Sequence, residues 1–271
     1  MKKRLVSLVL IVVLFASIGV TAFAHFESED TICYEAMALD NLNLRDEEGK
    51  IITVIPVWSI VTVTGKEEDS RILVEWEGQK GTVLNVLRRM DRKALTNCSL
   101  NQRRQDGELI QCIPANETVT LEEDVCLKNE RTLVSYKGET GTVLTSELIK
   151  DFIIIDLDGQ MVYKYKDYKI YCAGPTVTGE EGTEYETPKG VFSVQGKIPN
   201  KTLTGPDYSV FVNYWMPIYR GIGIHDADRW RSAYGSNIYT YYGSHGCINV
   251  SLRLAKLLFE SVEEGEIVVV R

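Results

Sequence analysis

The sequence predicts a mostly β protein: two small repeated β units, a larger β domain and one late helix. Three observations lead there. The middle of the chain matches itself at an offset of 58 to 60 residues. Apolar and polar residues alternate in short runs divided by Gly and charged turns, the pattern of half-buried strands. Convincing helical spacing occurs once, near the end.

The repeat comes first. Leu42-Asn43 and Arg45 correspond to Leu100-Asn101 and Arg103, Gly49 to Gly107, and Ile55-Pro56 to Ile113-Pro114. After a two-residue insertion near Cys126, Leu73-Val74 matches Leu133-Val134, Trp76 matches Tyr136, and Gly81-Thr82-Val83-Leu84 matches Gly141-Thr142-Val143-Leu144. Val61 and Val63 alternate with Ile60, Thr62 and Thr64, and Glu77-Gly78 makes a turn. Short runs of this kind build small, strongly bent sheets or barrels. The Leu-Asn-x-Arg, Ile-Pro and Trp/Tyr-x-Gly-x-x-Gly elements, over roughly residues 38–149, resemble bacterial SH3-like modules. That resemblance implies one module over 38–92 and a second over 95–149, binding cell-wall peptides or holding a catalytic domain in position. Spacers without a ligand are the alternative, and the change from Trp76 to Tyr136 weakens the idea of a shared ligand.

Lys150-Asp151 marks a boundary, and a third domain is expected over 151–271. Residues 152–157 and 160–165 read as strands joined at Asp158-Gly159, a strong hairpin signal. Leu254, Leu257, Leu258 and Val262 recur at helical spacing after Ser251, a suitable N-cap, and Gly265 is expected to end the helix. Residues 267–270 read as a last buried strand.

The chain begins with Lys2, Lys3 and Arg4, then an apolar run to Val20, then Ala22-Phe23-Ala24. Basic region, apolar region and small-residue cleavage site describe a signal peptide over 1–24. The rival is an uncleaved anchor, since residues 5–23 approach the length that spans a bilayer; only then is the membrane a partner. Residues 25–37 are read as a linker. On either reading the rest is exported, to the extracellular space or the cell wall. The net charge of -8 becomes -11 without the three leader cations. No basic stripe is evident in the linear sequence, so nucleic acid is not expected as a partner. Six cysteines occur, at 33, 98, 112, 126, 172 and 247. In an exported chain they suggest disulfides, with a bridge among Cys98, Cys112 and Cys126 one option and small buried hydrophobes the other. Cys172 reads as a buried strand residue.

Of three histidines, His25 stands apart, while His225 and His245 both lie near Gly246-Cys247. A thiol is mostly protonated at neutral pH, and a neighbouring imidazole can accept its proton and then stabilise the thiolate. The run Gly221-Ile222-Gly223-Ile224 would present His225 at a strand end. Gly246 allows close approach of a substrate, with the N–H groups of Gly246 and Cys247 as oxyanion donors.

Ser244-His245-Gly246-Cys247-Ile248-Asn249, with His225 upstream, resembles the signature of the YkuD-type L,D-transpeptidases. The gap from 226 to 243 is 18 residues, at the long end for that family. Thr187-Pro188-Lys189-Gly190-Val191-Phe192 is similar to a second family segment, and Tyr214-Trp215-Met216-Pro217 precedes the His strand as it often does there. The resemblance implies a β-sandwich-like catalytic domain over 151–271 acting on peptidoglycan stem peptides without a cofactor or metal. Cys247 would be the nucleophile and His225 the base, oriented by a backbone carbonyl. Ser244, His245, Gly246 and Asn249 would support the loop and oxyanion site, and the product would be a 3→3 cross-link. Asp226 departs from members that carry Ser or Gly there, and its carboxylate is a possible second influence on His225. Arg229 and Arg231 are expected to receive a stem-peptide carboxylate bidentately or to form a solvated loop. Tyr242, with Tyr234, Tyr239 and Tyr241, would line or pack the cleft. A zinc site from His225, His245 and Cys247 lacks a fourth ligand at suitable spacing. A papain-like NlpC/P60 wall peptidase has Cys before His, the reverse of this order. An L,D-carboxypeptidase trimming tetrapeptide stems, or a non-catalytic wall-binding protein, are the remaining alternatives.

Overall fold

The computed structural model describes residues 34–123, 125, 130–205 and 208–271. The leader, with Cys33 and Cys126, lies outside them. Among the described residues no helix is long and apolar enough to cross a membrane.

The sequence repeat corresponds to two seven-stranded sheets. The first contains β1 (Tyr34–Ala38), β2 (Leu42–Arg45), β3 (Ile51–Ile55), β4 (Ile60–Glu68), β5 (Arg71–Trp76), β6 (Gln79–Leu84) and β7 (Leu87–Arg89). The second contains β8 (Lys93–Thr96), β9 (Leu100–Arg103), β10 (Leu109–Ile113), β11 (Thr118–Leu121), β12 (Arg131–Tyr136), β13 (Glu139–Leu144) and β14 (Leu148–Ile149). Their orders are β3-β2-β6-β5-β4-β1-β7 and β10-β9-β13-β12-β11-β8-β14, the same topology twice. The first sheet begins at Tyr34, inside the stretch read as linker, because β1 is held on both sides by β4 and β7. Alternation explains each interior. Val61, Val63, Ile72, Val74 and Val83 fill one core, and Val119, Val134 and Val143 occupy equivalent places in the other.

The third region has one nine-stranded sheet. Its strands are β15 (Phe152–Asp156), β16 (Met161–Lys166), β17 (Lys169–Val177), β18 (Gly190–Ser193), β19 (Ile198–Thr204), β20 (Ser209–Tyr219), β21 (Ile222–Asp226), β22 (Ile248–Val250) and β23 (Ile267–Val270). Their order is β18-β23-β15-β16-β17-β22-β21-β20-β19. Two helices join them, α1 (Tyr239–Tyr242) and α2 (Leu252–Ser261). The Asp158-Gly159 hairpin forms, but Asp156 pairs with Met161, giving a four-residue turn. The positive φ falls on Gln160, whose side-chain amide donates to Leu157 O and Thr178 Oγ1 and is wholly buried. Ser251 caps α2 by accepting from Leu254 N. The helix stops at Ser261 rather than running to Gly265. Gly265, at φ 88°, makes the following turn and donates to Val194 O at 2.7 Å.

One face of this sheet buries Leu254, Ala255 and Leu258 of α2 against Ile153, Ile155, Val250 and Val268. The opposite face forms a second core that crosses the expected boundaries: Phe152, Ile154 and Tyr165 pack with Met37 and Leu95 of the two smaller sheets. Arg253 at the start of α2 also donates to Ser59 Oγ at 2.9 Å. Burying a Phe or Met side chain contributes about 1.5–3 kcal/mol, so this shared core joins all three sheets.

Lys164 stands among apolar neighbours at 1% side-chain exposure and pairs with Glu266 at 6%. Its ammonium also donates to Tyr165 O at 2.9 Å. Removing one partner strands the other's charge in the interior. Glu266→Gln or Lys164→Met alone is expected to lower unfolding free energy by roughly 3–5 kcal/mol in urea titrations, and the double change Lys164→Met with Glu266→Leu to recover most of it. Equal losses in single and double variants would contradict this.

Candidate active site

β20, β21 and β22 are neighbours, antiparallel between β20 and β21 and parallel between β21 and β22. Their register puts His225 beside Trp215 on one side and Asn249 on the other. Adjacent strands are about 4.8 Å apart, so His225 lies next to the segment that begins with Cys247. Both residues line one cavity of about 280 Å³, with Leu203, Tyr208, Trp230 and Asn249 among the other walls. As the sequence implies, His225 is the penultimate residue of its strand.

His225 is 3% exposed, and its Nδ1 lies 3.0 Å from the carbonyl of Asp226. A carbonyl only accepts, so Nδ1 carries the proton and Nε2 is left as the basic nitrogen. Burial lowers the His225 pKa, outweighing the opposing effects of the Asp226 carbonyl and carboxylate. The Asp226 carboxylate itself is occupied with β20: Oδ1 accepts from the backbone of Asn213 at 2.8 Å and Tyr214 at 2.9 Å, and Oδ2 from Asn213 Nδ2 at 2.7 Å. It therefore braces the strand while the backbone carbonyl orients the ring.

Surrounding protein pushes the Cys247 thiol up to about 11, partly offset by the Gly223 backbone hydrogen bond. The residue is half-buried, and Sγ lies 3.9 Å from Gly221 O. Both shifts favour a neutral thiol and a neutral imidazole in the same cavity at neutral pH.

Residues 244–249 are held from several sides. Ser244 Oγ donates to Cys247 O at 2.5 Å and closes the turn. Thr187, buried in the Thr-Pro segment, donates to Gly246 O at 2.9 Å and accepts from Gly179 N at 2.8 Å. Gly246 has φ 95°, strained for any residue with a Cβ. His245 is exposed and stacks on Tyr185 at 4.2 Å, with Tyr208 at 5.3 Å, forming an aromatic rim. Asn249 is 3% exposed, and its Oδ1 has no partner among the described residues. Among those residues no group of three or more His, Cys, Asp or Glu is placed to hold a metal ion.

The two arginines, expected either to receive a carboxylate or to form a solvated loop, are placed differently from each other. Arg229 is exposed, sits over the Phe211 ring at 4.8 Å and is absent from the cavity wall. Arg231 lines the cavity but is only 6% exposed. Its Nη1 donates to Tyr242 O at 2.8 Å and Nη2 to Gly243 O at 2.9 Å, while the guanidinium covers the Tyr242 ring. The fork that would grip a carboxylate instead grips the backbone just before Ser244. Tyr242 lines the cavity; Tyr234 lies outside it, donating to Asp228 Oδ1 at 2.6 Å. Sequence spacing carried no sign of the Arg231 clamp or of Trp230 at the site, and it marked Thr187 only as part of the family-like segment, without its bond to Gly246. Cys98, Cys112, Cys172 and Cys247 are free. Burial raises Cys172 to about 12, which leaves it an inert thiol.

Residues 150–270 match the family model for the L,D-transpeptidase catalytic domain, YkuD. Among solved structures, the NMR structure of the catalytic domain of an E. faecium L,D-transpeptidase is 41% identical, covering 45% of this chain and 96% of that one at a TM-score of 0.41. The Ldtfm–avibactam carbamoyl enzyme is 28% identical over 66% of this chain and 74% of that one, TM-score 0.44. An L,D-transpeptidase from Mycobacterium tuberculosis H37Rv is 14% identical over 87% and 94%, TM-score 0.41. No curated protein matches the sequence.

The clamp predicts the behaviour of Arg231→Ala. Two hydrogen bonds from a charged donor, each contributing about 1.5–3 kcal/mol, hold the end of α1 and the loop leading to Cys247. The variant is expected to lose roughly 2–4 kcal/mol of stability and to alkylate more slowly at Cys247 with iodoacetamide while still folded. Unchanged stability and unchanged alkylation would show that the clamp does not position the thiol.

Proposed function

The chain belongs, through residues 150–270, to the YkuD family of L,D-transpeptidase catalytic domains; from that premise we propose that it is an exported peptidoglycan L,D-transpeptidase forming 3→3 cross-links through a thioester on Cys247. The observation that supports this best is the pairing of a buried His225, its Nδ1 tied to Asp226 O, with a neutral Cys247 thiol in the same cavity.

Cys247 Sγ attacks the carbonyl of the L-centre at stem position three as His225 Nε2 accepts its proton. The N–H groups of Gly246 and Cys247 receive the developing oxyanion, a contribution that donors fixed in advance make without reorganisation. Collapse breaks the peptide bond. The terminal D-residue leaves with the proton from the His225 imidazolium, and the acyl group remains on sulfur. An amine from a neighbouring stem then attacks the thioester, His225 removes a proton from it, and the thiol is regenerated. Asn249 Oδ1, lacking a partner in the wall, accepts an amide N–H of the donor stem. The two repeated sheets serve as SH3-like modules that bind the cell wall and hold this site near its substrate; their common topology and the core they share with the third sheet support that role.

Incubation with disaccharide-tetrapeptides and mass spectrometry tests the reading. Dimers linked 3→3 are expected from the protein and none from Cys247→Ala. Release of the terminal D-residue without dimers would identify water as acceptor and make the protein a carboxypeptidase. Neither product from a folded protein would overturn the enzymatic reading.

A further inference from the structure

A second cavity, of about 210 Å³, lies where the two small sheets meet the third. It gathers four cations from three parts of the chain: Arg88 from β7, its neighbour Arg89, Lys93 from β8, and Arg271 beyond β23. Two carboxylates, Asp91 and Asp156, share the wall, leaving an excess of two positive charges.

Acidic side chains outnumber basic ones in this protein by 38 to 30. Even so, none of the four cations forms an ion pair with a carboxylate among the described residues. Arg89 lies over the Tyr34 ring at 4.7 Å, and Arg271 reaches only the hydroxyl of Thr118, at 3.3 Å. Tyr163 and Tyr165 form part of the same wall. Arg88, Arg89 and Arg271 are exposed and Lys93 is partly buried; like charges gathered around one concave surface repel, and an entering anion relieves that repulsion.

From this geometry we infer that the cleft is a binding site for a phosphate-type oxyanion, either free phosphate or one phosphodiester of an anionic polymer. Free phosphate carries close to the roughly −1.5 to −2 of a monoester at neutral pH, near the excess charge, and each phosphodiester of a polymer about −1. Guanidinium forks suit its oxygens bidentately, and the phenols add neutral donors. The protein's net charge of -8 disfavours a polyanion on the surface at large. The site is separate from the Cys247 cavity and does not depend on the reaction there.

The full chain would be titrated at low ionic strength with inorganic phosphate by calorimetry, and then with poly(glycerol phosphate) of defined length. Saturable binding is expected, weakened at least about tenfold in the double variant Arg88→Gln with Lys93→Gln, whose side chains make no hydrogen bond or ion pair among the described residues. The double variant Arg104→Gln with Lys256→Gln, equal in charge but away from the cleft, should bind as the parent does. Binding of phosphate alone, or tighter binding of the polymer per phosphate group, would each support the site and distinguish its two sources. No saturable binding of either ligand at millimolar concentration, or equal weakening in both double variants, would overturn it.

Discussion

The hydrogen bond from His225 Nδ1 to the Asp226 carbonyl exists because β21 continues one residue past the histidine, with its neighbours in fixed register. Parallel pairing with β22 brings the Ser244–Cys247 turn alongside. Antiparallel pairing with β20 lets the Asp226 carboxylate satisfy two backbone N–H groups and an amide of that strand. One residue therefore serves twice, its side chain locking the strand and its backbone setting the imidazole tautomer. Slipping the register by one residue would turn His225 to the other face of the sheet and separate it from the thiol.

Burial then sets the electrostatics. It moves the His225 pKa down and the Cys247 thiol up, so both groups rest uncharged. A preformed thiolate–imidazolium pair would be stabilised before any substrate arrived. In the proposed reaction, charge appears together with the tetrahedral oxyanion, when fixed dipoles at the glycine turn contribute most. The sign for pH follows: the base stays neutral down to below the ordinary histidine value, and is lost only as pH falls through its lowered pKa.

Much of this was legible in the sequence, because it rests on local patterns. The 58-residue offset foretold two sheets of one topology, and the order His225 then Cys247, with Gly246 between the second histidine and the thiol, foretold the candidate site. What escaped depended on distant partners. Nothing in Asp228-Arg229-Trp230-Arg231 tells that one arginine turns inward to hold Tyr242 and Gly243 while the other stays out over Phe211. Nothing in the strand-like run 160–165 tells that Lys164 is buried with Glu266 as its partner. Met37 fell in the stretch read as linker and Leu95 at the first position of the second module, yet both meet Phe152 in a common core. Arg88, Arg89 and Lys93 drew no notice in the sequence, because the cleft they line is completed by Arg271 from the end of β23.

The claim on which the mechanism turns is that His225 is a neutral base with its proton on Nδ1. It is tested most directly by ¹⁵N NMR of imidazole-labelled protein, followed from pH 4 to 8 in the parent chain and in Cys247→Ala. The account predicts an Nδ1–H tautomer at neutral pH in both, protonating only below the ordinary histidine pKa of about 6.5. A cationic His225 ring at neutral pH in the parent that becomes neutral in Cys247→Ala would reveal a resting ion pair and contradict it.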